Sequence, residues 1–457
     1  MRITTVSAPA GRGTTTSMTN EFDVAVLGGG GAAEALVAAL SGHELRTVVF
    51  ESDLVGGDCP FVACMPSKAM LHDAAVGTSW HDAVARRGEV VDHLDDRRHA
   101  ESLVDDGATL VRHRAEIVSP GLVRADGTDY RVDHIVLATG SEPMIPPIDG
   151  LDELADRCWT SDDAMTTEER PARLAIIGGG AIGCELATLF ARFGTEAHVL
   201  DVAPTAFPDL PDDIGEIVDD ALRSCGVRVC RGVEIDNVTR RGGGVRTTLG
   251  NGAGLDTDRI LVATGRRPRT RDLGLEHVGV EHPEAFTVAP NGRVSAEGSV
   301  WAIGDVAGHG QYTHVANHQA LVVADALVGA GTRRFDEVIT PACVFTDPPV
   351  MMIGPRPGDE AATNLRWFSA RLSETPRWTT DDLVDGLLTI GVDPTTRTVE
   401  AAHGIGADFD VLAAALVTAI DGDVTIDRLR TSMWPFPSIG EILGVVYSRA
   451  AESLSTS

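Results

Sequence analysis

Two cysteines five positions apart lie in the segment Gly56-Gly-Asp-Cys59-Pro-Phe-Val-Ala-Cys64-Met-Pro-Ser-Lys68. The chain has 457 residues and only seven cysteines, too few and too scattered for a secreted disulfide scaffold, so a close thiol pair points to redox or metal chemistry. A zinc site is a poor reading, because no matching Cys or His pair nearby completes four ligands. On a helix, this spacing would put both thiols near one face and within reach of disulfide distance. A purely structural thiol pair is the bland alternative. Cys158, Cys184, Cys225, Cys230 and Cys343 sit in ordinary apolar or loop contexts and are expected to be inert. Lys68, four residues past Cys64, is the only lysine in the sequence; every other basic side chain is arginine. It is expected where a guanidinium cannot substitute for a compact ammonium.

The elements that must position these residues form an internal repeat. Phe22-Asp-Val-Ala-Val-Leu27 reads as a buried strand entering Gly28-Gly-Gly30-Gly31-Ala32-Ala33, then a helix to Leu40 and a strand Thr47–Phe50 ending on Glu51. The same grammar returns at Leu174–Ile177, Gly178-Gly-Gly180-Ala181-Ile182-Gly183, a helix from Glu185 to Phe193, and Ala197–Leu200 ending on Asp201. Each acid stands 23 positions after its first glycine, Glu51 after Gly28 and Asp201 after Gly178. These are two βαβ dinucleotide units. The first glycine permits a tight turn, the second lets backbone approach a pyrophosphate, and the small third residue, Ala33 or Gly183, allows close helix–strand packing. The helix N-terminus then favours the phosphate charge.

Strands ending in Ala-Thr-Gly recur at Ala138-Thr139-Gly140-Ser141 and Ala263-Thr264-Gly265-Arg266. A strand-like Ser299–Ile303 leads into Gly304-Asp305, whose carboxylate could hold a sugar-like hydroxyl. After about residue 335 the texture changes to strand-like pieces (342–346, 386–392), a helical run from Asp408 to Ile420 and an apolar helix from Ile439, which reads as an α+β domain. At roughly 150 residues per domain the length suggests about three domains. A net charge of −29 disfavours nucleic acid or an anionic membrane surface as partner. Mean hydropathy is +0.03, and no apolar run suggests a bilayer span. Residues 1–20 read as a loose tail rather than a signal peptide.

The cysteine segment resembles the redox helix of the flavin-dependent pyridine nucleotide–disulfide oxidoreductases, the group of dihydrolipoamide dehydrogenase, glutathione reductase and mercuric reductase. The similarity runs from Phe22 to about Val446 in the family's order. It implies an α/β fold with two Rossmann-like FAD- and NAD(P)-binding domains of glutathione-reductase type plus an α+β C-terminal dimerisation domain. The implied divisions are a disordered tail (1–20), an FAD-binding domain with the Cys pair (21–150), an NAD(P)-binding domain (151–272), a return to the central domain (273–335) and an interface domain (336–457). Carried over residue by residue, Gly28, Gly30, Gly31, Ala32, Ala33 and Glu51 match the FAD adenosine site, Asp305 the acid on the ribityl chain, and Ala115 a backbone contact to adenine. Gly57, Asp58, Thr139, Gly140, Ser141 and Gly304 join the FAD set. Gly178, Gly180, Ala181, Ile182, Gly183, Asp201, Gly265 and Arg266 join the nicotinamide-dinucleotide set. Cys64 matches the thiol stacked on the flavin, Cys59 the outer interchange thiol, and Lys68 with Glu185 an ion pair beside the flavin. Hydride would pass from NADH to FAD and on to the disulfide through Cys64. Asp201 can accept bonds from both ribose hydroxyls but would repel a 2′-phosphate, and Val202–Thr205 offer no arginine to hold one, so NADH is favoured over NADPH. Ala181 stands where relatives carry a bulky aromatic that covers the flavin.

The chain departs from the family at its C-terminal signature, which ends in His-Pro-x-x-x-Glu. Here Met433-Trp-Pro-Phe436-Pro437-Ser-Ile-Gly-Glu441 keeps the proline and Glu441 but has Phe436 at the position of the base. A general acid–base is typically worth 10²–10⁴-fold, so an ordinary disulfide reductase is hard to build here. Three acceptor readings follow. One is a disulfide, with the proton drawn from substrate, water, His314 or His318. Another is C–S bond cleavage, as in 2-oxopropyl-coenzyme M reductase (carboxylating), where a Phe also replaces the His base; however, that enzyme departs at the Glu position and favours NADPH. The third is soft-metal reduction of the mercuric kind, which normally needs a C-terminal cysteine pair that this sequence lacks. A non-turnover redox sensor is the alternative from another class. The expectation is a soluble cytoplasmic homodimer with a composite active site, no metal, and a small sulfur-containing substrate.

Overall fold

The computed structural model describes residues 20–282, 286–294 and 296–455. The expected tail lies outside them, apart from Asn20. Strand Glu21–Leu27 sits mid-sheet, parallel to Thr47–Phe50 on one side and to Thr128–Leu137 on the other. Thr109–Val111 extends one edge, Leu122–Ala125 and Ala115–Ser119 the other, and Val300–Ala302 returns to pair with Thr128–Leu137, making seven strands. Val24, Ala25 and Val26 are fully buried, because helices 31–40 and 313–327 cover one face of the sheet and strands 115–125 with residues 273–307 cover the other, leaving no polar side to alternate with.

The second unit repeats the arrangement. Arg173–Ile177 lies between Glu196–Leu200 and Arg259–Val262 in a five-stranded parallel sheet edged by Arg228–Cys230 and Cys158–Trp159. Gly28 and Gly178 have φ of +103° and +101°, and an added Cβ would sit 2.3 and 2.4 Å from the carbonyl oxygens of Ala138 and Ala263. Glycine is therefore required at both turns. The units differ at the third small residue: a Cβ on Gly183 would lie 1.9 Å from the Gly178 carbonyl oxygen, whereas Ala33 is accommodated, fully buried. The helices begin at Gly31 and Ala181, earlier than the apolar pattern suggests.

The two Ala-Thr-Gly loops bind each other reciprocally. Thr139 donates to the Arg269 carbonyl (2.6 Å) and Thr264 to the Met144 carbonyl (2.6 Å), while Ser141–Pro143 pairs antiparallel with Arg266–Pro268. The C-terminal part is a five-stranded antiparallel sheet with Val399–Ile405 at its centre. Helices Phe409–Asp421 and Glu441–Ser455 pack on it around Phe409, Leu416, Val446 and Tyr447, giving the expected α+β architecture. Among the described residues, no helix is long and apolar enough to cross a membrane.

His403 lies at 0% exposure in that sheet, its Nε2–H donating to the Pro355 carbonyl (2.9 Å) and its ring stacked on Trp367. Nδ1 has no partner, and burial pulls the imidazole below its usual value. The unfolded chain therefore binds a proton below about pH 6.5 that the folded chain refuses, and stability falls as pH drops through that point. His403→Gln should flatten the slope of denaturant midpoint against pH between 6.5 and 5, by up to about 1.4 kcal/mol per pH unit.

Candidate active site

The two thiols do not share one helix. Cys59 lies on the short turn Asp58–Phe61 and Cys64 opens the helix Cys64–Ala75, with Ala63 between them at φ −130°, ψ −98°. This corrects the single-helix expectation. On an unbroken helix, five residues advance to roughly 140° from the starting direction, which would splay the sulfurs apart. With the break, both reach one hydroxyl: Thr313 Oγ1 donates to Cys59 Sγ at 3.1 Å and lies 3.8 Å from Cys64 Sγ. Thr313 opens helix Thr313–Leu327. The Cys64 thiol is lowered to about 6, chiefly by the hydrogen bond from Cys59; burial opposes this, and the Thr313 hydroxyl and Lys68 ammonium assist. Cys59 is raised correspondingly by the same bond. The pair therefore shares one proton, held on Cys59, and Cys64 is the thiolate near neutrality. Cys158, Cys184 and Cys343 are pushed up by burial to about 11, 12 and 11, consistent with inert thiols.

Lys68 projects from the cysteine helix onto Glu185 of the second unit, Nζ to Oε2 2.7 Å. The other oxygen, Oε1, accepts the Phe345 amide at 2.8 Å, and the Phe345 ring lies 4.8 Å from the ammonium. Sequence reasoning paired Lys68 with Glu185 but missed Phe345 and Thr313.

The first unit fits the FAD expected there. Glu51 Oε2 accepts the Gly29 amide (2.7 Å), so the acid is held at the loop. No side chain caps the helix at Gly30, and a Cβ on Gly31 would meet nothing within 4 Å, which leaves room for an anion at the helix N-terminus. Asp305 accepts from the Ser141 hydroxyl (2.6 Å), and Arg266 bonds Ser141 Oγ (2.8 Å) and Asp58. These four residues form one network. Gln319, 1% exposed, accepts the Gly304 amide (2.7 Å) while its Nε2 has no protein partner, an orphan donor beside that network. Gly28, Gly30, Gly31, Glu51, Asp305 and Gln319 could hold the flavin dinucleotide, whose ring would supply two-electron chemistry next to Cys64.

In the second unit Asp201 accepts the Gly179 amide (2.7 Å), the Ala203 amide (2.9 Å) and Arg231 Nη1 (2.9 Å). A cavity of about 150 Å³ opens beside it, lined by Gly180, Asp201, Thr205 and, from the C-terminal sheet, Met352 and Arg356. Residues 202–205 offer no arginine, but folding brings Arg231 and Arg356 to Asp201 from more distant parts of the chain. Ala181 is exposed at the helix start.

Phe436 is 75% exposed and Met433 95% exposed in the single chain. Glu441 accepts the Ser438 amide at 3.1 Å. The candidate replacement bases are occupied by backbone: His314 Nε2 bonds the Pro341 carbonyl (2.8 Å) and His318 Nε2 the Arg334 carbonyl (3.3 Å). No described group of three or more His, Cys, Asp or Glu is placed to hold a metal.

Residues 22–320 match the family described as pyridine nucleotide-disulphide oxidoreductase, and residues 340–446 match its dimerisation domain. A mercuric reductase of Staphylococcus aureus is 27% identical, over 92% of this chain and 81% of that protein. A dihydrolipoyl dehydrogenase of Chlamydia pneumoniae is 29% identical, over 93% and 96%. The structure of the HOCl-induced flavoprotein disulfide reductase RclA from Escherichia coli, also solved as a Cu(II) complex, superposes with a TM-score of 0.85 at 26% identity, covering 93% of this chain and 99% of that one.

Thr313→Val removes a donor shared by both sulfurs. It should raise the pH at which Cys64 ionises by about one unit, read from the pH profile of thiolate absorbance in the reduced protein.

Proposed function

The chain belongs to the pyridine nucleotide-disulphide oxidoreductase family, and on that premise we propose that it carries hydride equivalents from NADH through FAD to the Cys59–Cys64 pair. From Cys59 they would pass to a disulfide or other sulfur-containing acceptor. The family is FAD-dependent, uses a nicotinamide dinucleotide and acts on sulfur groups. The observation that carries the reading is the Cys64 thiol lowered to about 6 beside the Lys68–Glu185 pair, with Thr313 touching both sulfurs. Such a thiolate is poised to give electrons in one direction and receive them in the other. Lys68 and Thr313 hold the negative charge on Cys64, and Cys59 keeps the shared proton. Asp201 selects NADH by accepting a ribose hydroxyl at the acceptor position its protein partners leave open.

The dimerisation domain supports a homodimer in which the exposed segment from Met433 to Pro437 faces the partner subunit's Cys59. Phe436 then takes the position of the interchange base. Its ring offers no proton and keeps water away, so a leaving thiolate must depart charged. That favours acceptors whose reduced product is stable without a delivered proton. A soft metal ion is the second reading. Sulfur ligands suit such an ion, Met65 is 52% exposed next to Cys64, and the RclA relative has been solved with Cu(II).

Anaerobic NADH titration should give long-wavelength absorbance at two electrons per flavin, lost in Cys64→Ser. Steady-state rates with lipoamide, low-molecular-weight disulfides, thioether ketones and Cu(II) then separate the acceptors. Wild type should turn over lipoamide slowly, and Phe436→His should raise that rate by about 10²-fold. Ordinary lipoamide turnover by wild type would refute the weight placed on Phe436.

A further inference from the structure

The two nucleotide units end their third strand alike. Thr109–Val111 is followed by Arg112 and Arg228–Cys230 by Arg231. Their acids are also held alike: Glu51 accepts the amides of Gly29 (2.7 Å) and Asp53 (2.8 Å), and Asp201 those of Gly179 (2.7 Å) and Ala203 (2.9 Å). The arginines diverge. Arg112 is 43% exposed and pairs with Asp96 rather than with Glu51. Arg231 is 6% exposed and bonds Asp201 Oδ2 (2.9 Å), the Gly179 carbonyl (3.1 Å) and, through Nε and Nη2, Asp219 Oδ1 (3.1 and 2.8 Å). Asp219, on helix Asp212–Ser224, is itself 8% exposed.

We infer that the buried Arg231–Asp219 pair is a positioning device that locks Asp201 and so sets the preference for NADH over NADPH. This rests on the reading of Asp201 as the ribose-binding carboxylate. A carboxylate has about four acceptor positions, and three on Asp201 are already filled. What remains facing the cavity can accept a ribose hydroxyl but has nothing to offer a 2′-phosphate, which only accepts. Repulsion of a second anion discriminates only if the carboxylate cannot turn aside. Two backbone amides alone would let it turn; a guanidinium fixed from behind by a second acid does not. The three groups together carry one net negative charge, so the lock adds no further repulsion toward the pyrophosphate. In the same cavity lining, Arg356 is 43% exposed and its guanidinium pairs with Asp209 at 3.1 Å. The pocket therefore contains a cation able to meet a 2′-phosphate, and selectivity depends on the fixed acid.

Calorimetric titration of the FAD-loaded protein with NAD⁺ and NADP⁺ tests this without reference to the electron acceptor. Wild type should prefer NAD⁺, and Asp201→Ala should abolish the preference. Arg231→Leu with Asp219→Leu removes both buried partners together and keeps the local net charge at minus one, now on Asp201 alone. It should lower the NADP⁺-to-NAD⁺ Kd ratio by about tenfold or more, the worth of one charge-assisted hydrogen bond, and adding Arg356→Gln should reverse the gain in NADP⁺ binding. Arg231→Lys, which cannot span both acids, should give an intermediate ratio and serves if the double variant does not fold. A purely structural pair would lower Tm and leave the ratio unchanged. An unchanged ratio in the Arg231 variants while Asp201→Ala alters it overturns the inference. An unchanged ratio in Asp201→Ala overturns the ribose reading itself.

Discussion

The Glu185 carboxylate is the junction on which the rest of the structure depends. One oxygen receives the Lys68 ammonium from the cysteine helix and the other receives the Phe345 amide from the C-terminal sheet, while Glu185 itself belongs to the helix of the second nucleotide unit. Three parts of the chain that are far apart in sequence are thereby held at one point. The carboxylate is 12% exposed, and leaving such a charge unpartnered costs about 3–5 kcal/mol, so the junction resists rearrangement. It also explains why the single lysine of the chain stands here. A compact ammonium fits between a carboxylate and an aromatic ring 4.8 Å away, where a planar guanidinium would need a wider, fork-shaped opening.

Beside that junction the thiol pair is asymmetric by construction. Thr313 is closer to Cys59, the Lys68 charge assists Cys64, and one proton serves both sulfurs. The asymmetry separates the two roles a dithiol must play in electron relay, a thiolate held ready and a protonated partner. The C-terminal signature contributes no imidazole; Glu441 instead accepts a backbone amide of its own segment.

The fold was legible in the sequence where backbone geometry leaves no choice. At Gly28 and Gly178 only glycine fits, so the two turns and the acids beyond them announced the repeat. The break between the cysteines was less visible, because Val62 and Ala63 carry no glycine or proline signal, although Pro66 in the first turn is what a fresh helix start tolerates. Thr313 could not be found from local pattern, being 249 residues from Cys64 in sequence. Arg231 was hidden in a different way. It lies 30 residues beyond Asp201, outside the loop that follows the acid, and at the end of the third strand, where the first unit has Arg112.

The reciprocal threonine links between the Ala-Thr-Gly loops have a consequence for turnover. With Thr139 bonded to Arg269, Thr264 to Met144, and a two-stranded ribbon between them, the two nucleotide units cannot part like the shells of a clam without breaking all of these bonds together. Their spacing is tied at these loops, and the small Ala181 at the start of the second unit's helix stands exposed, so access to that helix end is set by the width of a doorway and not by the swing of a hinge.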